Sequence, residues 1–260
     1  MAVFISVVSH GHASLVESLG TLKRLINSFN VIVKSNKPGD DFSVLNESQN
    51  FHWLDCEYFC GFGENNNIVF KYCQTELSMK DDDIFIALNP DVDINETAIV
   101  SLIELMSQNH SAICTINLYK DTNLSEFDNS IRRFPSFTQF IKSFLGFGNT
   151  SIIDKSAISK PCKVDWAAGS FLAFGAYHYQ TLGGFDERYF MYCEDIDICW
   201  RSKELGMKVD YFPNIKAQHL AKHENRKLLS KHFYWHVTSV MKFLLKKLGL
   251  GHARSRIYPE

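Results

Sequence analysis

The chain is predicted to be an α/β sandwich built on a central mixed sheet whose strands run mostly parallel. Three observations at its start predict this. Val3–Ser9 (VFISVVS) is an unbroken apolar run, the pattern of a strand buried on both faces. Leu15–Ile26 follows with apolar residues at helical spacing, and Asn30–Lys34 (NVIVK) is again a short β-branched run. Strand, helix and strand at that spacing form a βαβ unit, which implies a parallel sheet.

The other elements follow in order. Phe51–Leu54 reads as a short third strand. Gly61-Phe62-Gly63 opens a helix from about Glu64 to Leu77, Ile84–Leu88 is a central strand, Thr97–Gln108 a helix and Ala112–Asn117 a strand. From Tyr119 to Lys160 the pattern is polar and loop-like around an aromatic series (Phe134, Phe137, Phe140, Phe144, Phe147) whose spacing fits an amphipathic helix packed on the core. Val164–Trp166 and Phe171–Phe174 resume strand character around Gly169. A helix opens near Cys193, Lys208–Phe212 is a strand, and a loop carrying His219 comes next. Arg226–Leu248 closes the chain as a helix in which Leu228, Phe233, Trp235, Val240, Phe243, Leu244 and Leu248 interleave with lysines.

Length and composition narrow the classes. The 260 residues are enough for one sizeable core. No apolar run approaches the roughly 20 residues of a spanning helix, and the N-terminus lacks the basic region and cleavage site of a signal peptide. Seven cysteines with no CxxC pair support neither a zinc ribbon nor a disulfide framework, so a reducing cytosol is expected. The net charge of −2 conceals a split, because residues 222–260 hold nine of the 27 Lys/Arg and two of the 29 Asp/Glu. An acidic body with a basic, amphipathic tail points to an anionic partner for the tail. That tail either packs on its own domain, makes a homodimer contact, or lies on an anionic membrane surface, where each basic residue contributes about 1 kcal/mol. With an acidic body and no recognition motif, nucleic acid is not expected as a partner.

Two acidic elements carry the chemistry. In Gly183–Arg201 (GGFDERYFMYCEDIDICWR), Asp186, Glu194, Asp195 and Asp197 stand among apolar side chains, and carboxylates are costly to bury without partners. The helix dipole favours Glu194 and Asp195 at the helix start, and Asp197 can pair with Arg201 at i,i+4. The second element, Asn89-Pro90-Asp91-Val92-Asp93, follows the central strand directly. A carboxylate fixed there by proline can hold Mg2+ or Mn2+, although a plain turn also uses Asn, Pro and Asp. Ligands of open α/β sheets bind beyond the carboxyl ends of the strands. Ser9-His10-Gly11-His12, Ser35-Asn36, Asn89–Asp93 and Ala168-Gly169 fall at such ends. The stretch Gly61–Asn67 (GFGENNN) either brings Gly63 and Asn66 to a nucleotide or sugar, or is a plain helix entry. It is not GxGxxG, and no P-loop exists. His219 and His223 are spaced H-x-x-x-H without the glutamate of a zinc protease, and one of them joining Asp91 on a divalent metal is the better reading.

Taken in order, the strand ending SVVSHGH, then NVIVKSN, GFGENNN, LNPD, VDWAAGSF, GGFDERYFMYCEDIDICWR and YFP…QH resemble the inverting family 2 glycosyltransferases. The similarity is greatest to bacterial O-antigen rhamnosyltransferases that use dTDP-rhamnose, and it spans about Val3–His223. The resemblance implies a GT-A-like, Rossmann-type sandwich over residues 1–221, with a nucleotide half to about 118, an acceptor half from about 119, and a helical extension at 222–260. It implies Asp195 as catalytic base with Glu194 orienting it or the acceptor, and Asp91 with His219 on a Mg2+ or Mn2+ ion. Ser9, His10, Ser35, Asn36 and Asn89 are implied on the donor side, with Ser35 standing where the family usually has aspartate. Trp166 and Gly169 are implied on the acceptor side, and Asp197 and Arg201 of the acidic motif are expected there as well. The expected donor is dTDP-L-rhamnose and the expected acceptor a polyprenyl-diphosphate-linked GlcNAc or oligosaccharide, placing the protein in the cytoplasm on the inner face of the membrane. Two alternatives remain at this point: a UDP-hexose or UDP-galactofuranose donor, or a non-catalytic, membrane-tethered sugar-nucleotide-binding protein.

Overall fold

The computed structural model describes residues 1–135, 151–220 and 231–257. Phe137, Phe140, Phe144 and Phe147 of the aromatic series, His223, and the tail residues Lys222, Arg226, Lys227 and Leu228 lie outside the described residues.

Strands β1 (Val3–Ser9), β2 (Asn30–Ser35), β3 (Phe51–Leu54) and β4 (Ile84–Leu88) lie in the order β3-β2-β1-β4, all parallel. Beyond β4 the sheet becomes mixed. Strand β10 (Phe171–Gly175) runs antiparallel between β4 and β6 (Ile113–Tyr119), and β11 (Val209–His219) pairs parallel with β6. Two short strands, β5 (Val92–Asp93) and β8 (Cys162–Val164), pair antiparallel with β11. A separate ribbon joins β7 (Ile131–Arg132) to β9 (Trp166–Ala167). This geometry gathers the carboxyl ends of β1, β2, β4, β6 and β11, together with the amino end of β10, on one edge of the sheet.

Alternation along the strands separates two apolar layers. Val3, Ile5 and Val7 of β1 and Ile84, Ile86 and Leu88 of β4 pack with Leu22 and Leu25 of α2 (Thr21–Leu25) and with Ile99 and Leu102 of α4 (Glu96–Asn109). Phe4, Phe85 and Ala87 face the other way, onto Val69, Phe70 and Cys73 of α3 (Phe62–Thr75). That second layer is rich in rings: Tyr179, from the short helix α5 (Ala176–Thr181), lies 4.6 Å from Phe70 and 4.9 Å from Phe85 between centroids. Helix α6 (Glu194–Glu204), which opens in the acidic motif, and the C-terminal helix α7 (Lys231–Lys247) cover the same side. Phe243 of α7 is fully buried there, worth about 1.5–3 kcal/mol of apolar burial.

Three elements depart from the sequence reading. The helix expected over Leu15–Ile26 is two, α1 (Ala13–Leu19) and α2, because Gly20 adopts φ +64° and caps the first while starting the second. The run Val164–Trp166 divides at Asp165, where the chain leaves the main sheet for the ribbon. The loop expected after Phe212 is a continuation of β11. Pro213 has no N–H to give to a ladder, and the register with β6 shifts between Phe212 and Lys216 before pairing resumes. His219 therefore sits on a strand, opposite Val92.

Candidate active site

Continuation of β11 past the bulge builds the first of two polar clusters. With His219 opposite Val92 and the Leu220 N–H donating to Asp91 O at 3.1 Å, the imidazole is laid against the Asp91 carboxylate. His219 Nε2 is 3.4 Å from Asp91 Oδ1, and Nδ1 meets Asp128 Oδ2. Burial opposes charge on His219, yet hydrogen bonds and charge from Asp128 and Asp91 overcome it and raise its pKa to about 9. Burial likewise pushes Asp91 up, but the bond to His219 holds it below the usual carboxylate value. Among the described residues no group of three His, Cys, Asp or Glu is arranged to hold a metal unaided. A carboxylate and one imidazole nitrogen converging on the same point fit a hard divalent ion that takes its other oxygens from substrate phosphates.

The second cluster stands at the start of α6. Tyr192 and Cys193 are consecutive non-glycine residues in the left-handed region, φ 71° and 67°, each costing on the order of 1–2 kcal/mol. This turn aims the first residues of α6 back under the sheet edge. Asp195 Oδ2 accepts the Gly169 N–H (3.2 Å) and Oδ1 accepts the Ile196 N–H (2.8 Å). A Cβ on Gly169 would lie 3.0 Å from the Phe62 ring, so glycine permits this close approach. Burial raises the pKa of Asp195, with the two amides opposing. Glu194 is buried, and Oε2 has no hydrogen-bond partner among the described residues. Burial and the neighbouring Asp195 charge drive its pKa well up, favouring the protonated acid. A pair of adjacent carboxyl groups, one favouring the acid and one held by two amides, is suited to accepting a proton at Asp195.

No family model matches the chain. The rhamnosyltransferase WbbL of Escherichia coli (strain K12) is 36% identical over 255 residues, 96% of this chain and 95% of that protein. The chain belongs to the rhamnosyltransferase family. An N-acetylglucosaminyl-diphospho-decaprenol L-rhamnosyltransferase of Mycobacterium tuberculosis (strain ATCC 25618 / H37Rv) is 29% identical over 170 residues, 63% of this chain and 55% of that protein. In fold the chain is similar to GalNAc-T7, crystallised with UDP, GalNAc and Mn2+, at TM-score 0.63 and 11% identity over 94% of this chain and 47% of that one. It is also similar to S. aureus TarS in complex with UDP-GlcNAc, at TM-score 0.59 and 12% identity over 97% and 68%. The fold is that of the GT-A glycosyltransferases, and this rhamnosyltransferase-family member is a glycosyltransferase.

Its other expected site residues divide by burial. His10 is exposed and Asn89 partly exposed at the sheet edge, Asn89 donating its N–H to Ser170 O (3.0 Å). Ser9, Ser35 and Asn36 are buried and shape the loops beneath: Ser9 Oγ accepts the His12 N–H (3.0 Å), Ser35 Oγ accepts Trp53 Nε1–H (2.9 Å), and Asn36 bonds Cys60 through both ends of its amide (2.9 Å each). Asn66 is closed off from solvent, accepting from Ser6 Oγ (2.8 Å), and Gly63 packs on Phe185 and Glu194. Trp166 borders the Asp195 side, where Arg132 lies 5.4 Å over its ring. Asp197 and Arg201 are drawn elsewhere, into a buried lattice: Arg201 Nε reaches Asp197 Oδ2 (2.8 Å), and Lys246 Nζ of α7 reaches Asp197 (2.7 Å) and Asp186 (3.1 Å). The i,i+4 pair read from the sequence is present, with a third member the sequence did not disclose. All seven cysteines are free.

His12, placed at a strand end but given no role by the sequence, lies near Asp91, and Asp40, which the sequence did not disclose, accepts the N–H of Gly11 (3.4 Å) and Ala13 (3.2 Å). His12 stood within Ser9–His12 and was legible by position. Asp128, in a stretch without periodicity, left no signal.

Proposed function

We propose that the enzyme transfers L-rhamnose from dTDP-L-rhamnose, with inversion, onto a lipid-linked GlcNAc or oligosaccharide. The observation that carries this is Asp195, held by two amides beside Gly169 on the sheet edge that also bears the Asp91–His219 pair, in a chain 36% identical to a rhamnosyltransferase along nearly its whole length. The relative from Mycobacterium tuberculosis supports a GlcNAc-diphospho-lipid acceptor, since its name specifies one. Asp195 takes the proton of the acceptor hydroxyl. That oxygen forms its bond to the anomeric carbon on the face opposite the diphosphate, which leaves with the bonding electron pair. Buried Glu194 precedes Asp195 at the start of the helix, and the amides of Gly169 and Ile196 orient the Asp195 carboxylate. Asp91 and His219 would hold a Mg2+ or Mn2+ ion together with donor phosphates, and the ion would supply positive charge against the charge growing on the leaving group.

A donor panel tests this reading. With Mn2+ present, dTDP is expected to raise the melting temperature clearly more than UDP, and dTDP-rhamnose to be consumed only with a prenyl-diphospho-GlcNAc acceptor. Stabilisation by UDP alone, or turnover of a UDP-hexose in its place, would overturn the donor assignment.

The same reading places the enzyme at the inner membrane face as a peripheral protein, and α7 supports it. Among the described residues no helix is long and apolar enough to cross a membrane. While Phe243 and Ser239 face inward, Tyr234, Val237, Met241, Leu245 and Leu248 form an exposed stripe at helical spacing on a helix without an acidic residue. Wild type is expected to co-sediment with vesicles containing anionic lipid, and Met241→Ser/Leu245→Ser/Leu248→Ser to lose most of that binding while keeping transfer to a short-chain acceptor. Equal recovery of both proteins with vesicles, or a concentration-dependent dimer dissolved by the same changes, would reject the membrane face.

A further inference from the structure

Residues Lys120–Ser130 carry no strand or helix periodicity, yet they are folded by their own polar groups. The Asp121 carboxylate accepts the N–H of Ser125 (2.9 Å) and Glu126 (2.7 Å) and the Ser125 hydroxyl (2.7 Å), which closes a turn. The chain then folds back on the end of β6. Tyr119 and Phe127 form an antiparallel bridge with ring centroids 5.0 Å apart, and the Asp128 N–H donates to Leu118 O (2.9 Å). Since Tyr119 is also in register with Gln218 of β11, this places Asp128 beside His219. Below it, buried Lys155 donates to Ser130 Oγ (2.8 Å) and Leu118 O (3.2 Å), fixing the same segment.

We infer that Asp128 is a positioning residue for the metal ligand His219, its carboxylate holding the imidazole through Nδ1 so that Nε2 is presented beside Asp91. The two ring nitrogens are inequivalent, and a metal takes only the one that carries no proton. An acceptor at Nδ1 keeps a proton there and fixes the ring plane, so Nε2 is the nitrogen that gives up its proton when a metal binds. Partners of this kind typically change metal affinity 10- to 100-fold when removed. The segment also joins the two clusters: Ser130 O accepts the Ala168 N–H (2.8 Å), and the next amide, Gly169, holds Asp195. The inference rests on the proposed metal site, and its test separates the two.

The measurement is Mn2+ binding in the presence of dTDP, followed by the paramagnetic resonance signal of free Mn2+. Asp91→Ala is expected to abolish specific binding. Asp128→Ala is expected to weaken it about 10- to 100-fold, and Asp128→Asn to weaken it less, because the amide oxygen still accepts from Nδ1. Asp128→Asn is nearly isosteric, so it decides the matter if the alanine variant does not fold. In long-range proton–nitrogen spectra of the diamagnetic complex with Mg2+ and dTDP, His219 is expected to carry its proton on Nδ1. Wild-type Mn2+ affinity in both Asp128 variants, with binding lost in Asp91→Ala, would overturn the role of Asp128 alone. Wild-type affinity in Asp91→Ala would overturn the metal site itself.

Discussion

Asp195→Asn is expected to keep donor affinity within about twofold and to lower the transfer rate about 100- to 10,000-fold, the range that a general base supplies. The amide is the same size as the carboxylate, so the approach of Gly169 and Ile196 is kept while the proton acceptor is lost. A pH profile adds a signature that a packing defect does not mimic. Because the folded-state pKa of Asp195 is raised, wild-type kcat/KM should rise with pH as that carboxyl ionises, above the ordinary carboxylate value. The asparagine variant should lack this rise. Near-normal turnover by Asp195→Asn would remove it from the base role.

Lys246→Ala is expected to be the most destabilising single change in the tail. Lys246 bridges Asp186 and Asp197, both fully buried, and breaking a buried pair by deleting one partner costs about 3–5 kcal/mol. In a chain of this size that lowers the melting temperature by on the order of 10 °C. Asp186 gives the loss a pH signature. Burial raises its pKa, but the Arg188 side chain, the Lys246 charge and the Arg254 amide outweigh that and hold it at about 2. A depressed carboxyl contributes stability that is full above its unfolded value of roughly 3.9 and is lost as pH falls toward 2. Thermal melts of wild type should therefore weaken across that window. Without Lys246 the folded-state value rises, so this pH-dependent contribution shrinks. An alanine variant that melts like wild type at neutral pH would show the bridge to be energetically idle.

The parts of the fold set by local chemistry were legible from the residues. Strands β1, β3 and β4 are apolar runs bounded by turn residues, and their limits were read as they stand. Failures occurred where a distant partner decides the local state. Pro213 read as a strand end, whereas pairing with β6 carries β11 across it to His219. The tail's lysines were legible only as a group, and the partners of Lys246 were hidden because they lie up to sixty residues earlier in the chain. In the candidate site, Asp91, Asp195 and His219 were expected from motifs and from the family resemblance. Asp128 was not, since its meaning comes only from where the turn at Asp121 sets it down. Likewise the body's negative and the tail's positive charge read as an invitation to an outside partner, yet Arg256 spends its charge on Glu57, Glu64 and Glu187 within the same chain.

That internal pairing bears on the order in which the enzyme matures on the ribosome. Asp186 and Asp197 are translated well before Lys246, and Glu57 leaves the exit tunnel 199 residues ahead of Arg256. Until α7 is released, two carboxylates destined for the interior have no lysine, and the left-handed turn at Tyr192–Cys193 lacks its brace: Trp235 against Phe190 (4.7 Å), His232 bonded to Tyr192 (3.1 Å) and Ser239 bonded to Met191 O (2.9 Å). The nascent chain can thus fold its first parallel strands while the turn that aims Asp195 remains unset. Under the proposed mechanism, setting of that turn then waits for α7, and a chain stalled before Lys231 lacks the contacts that brace the turn aiming Asp195.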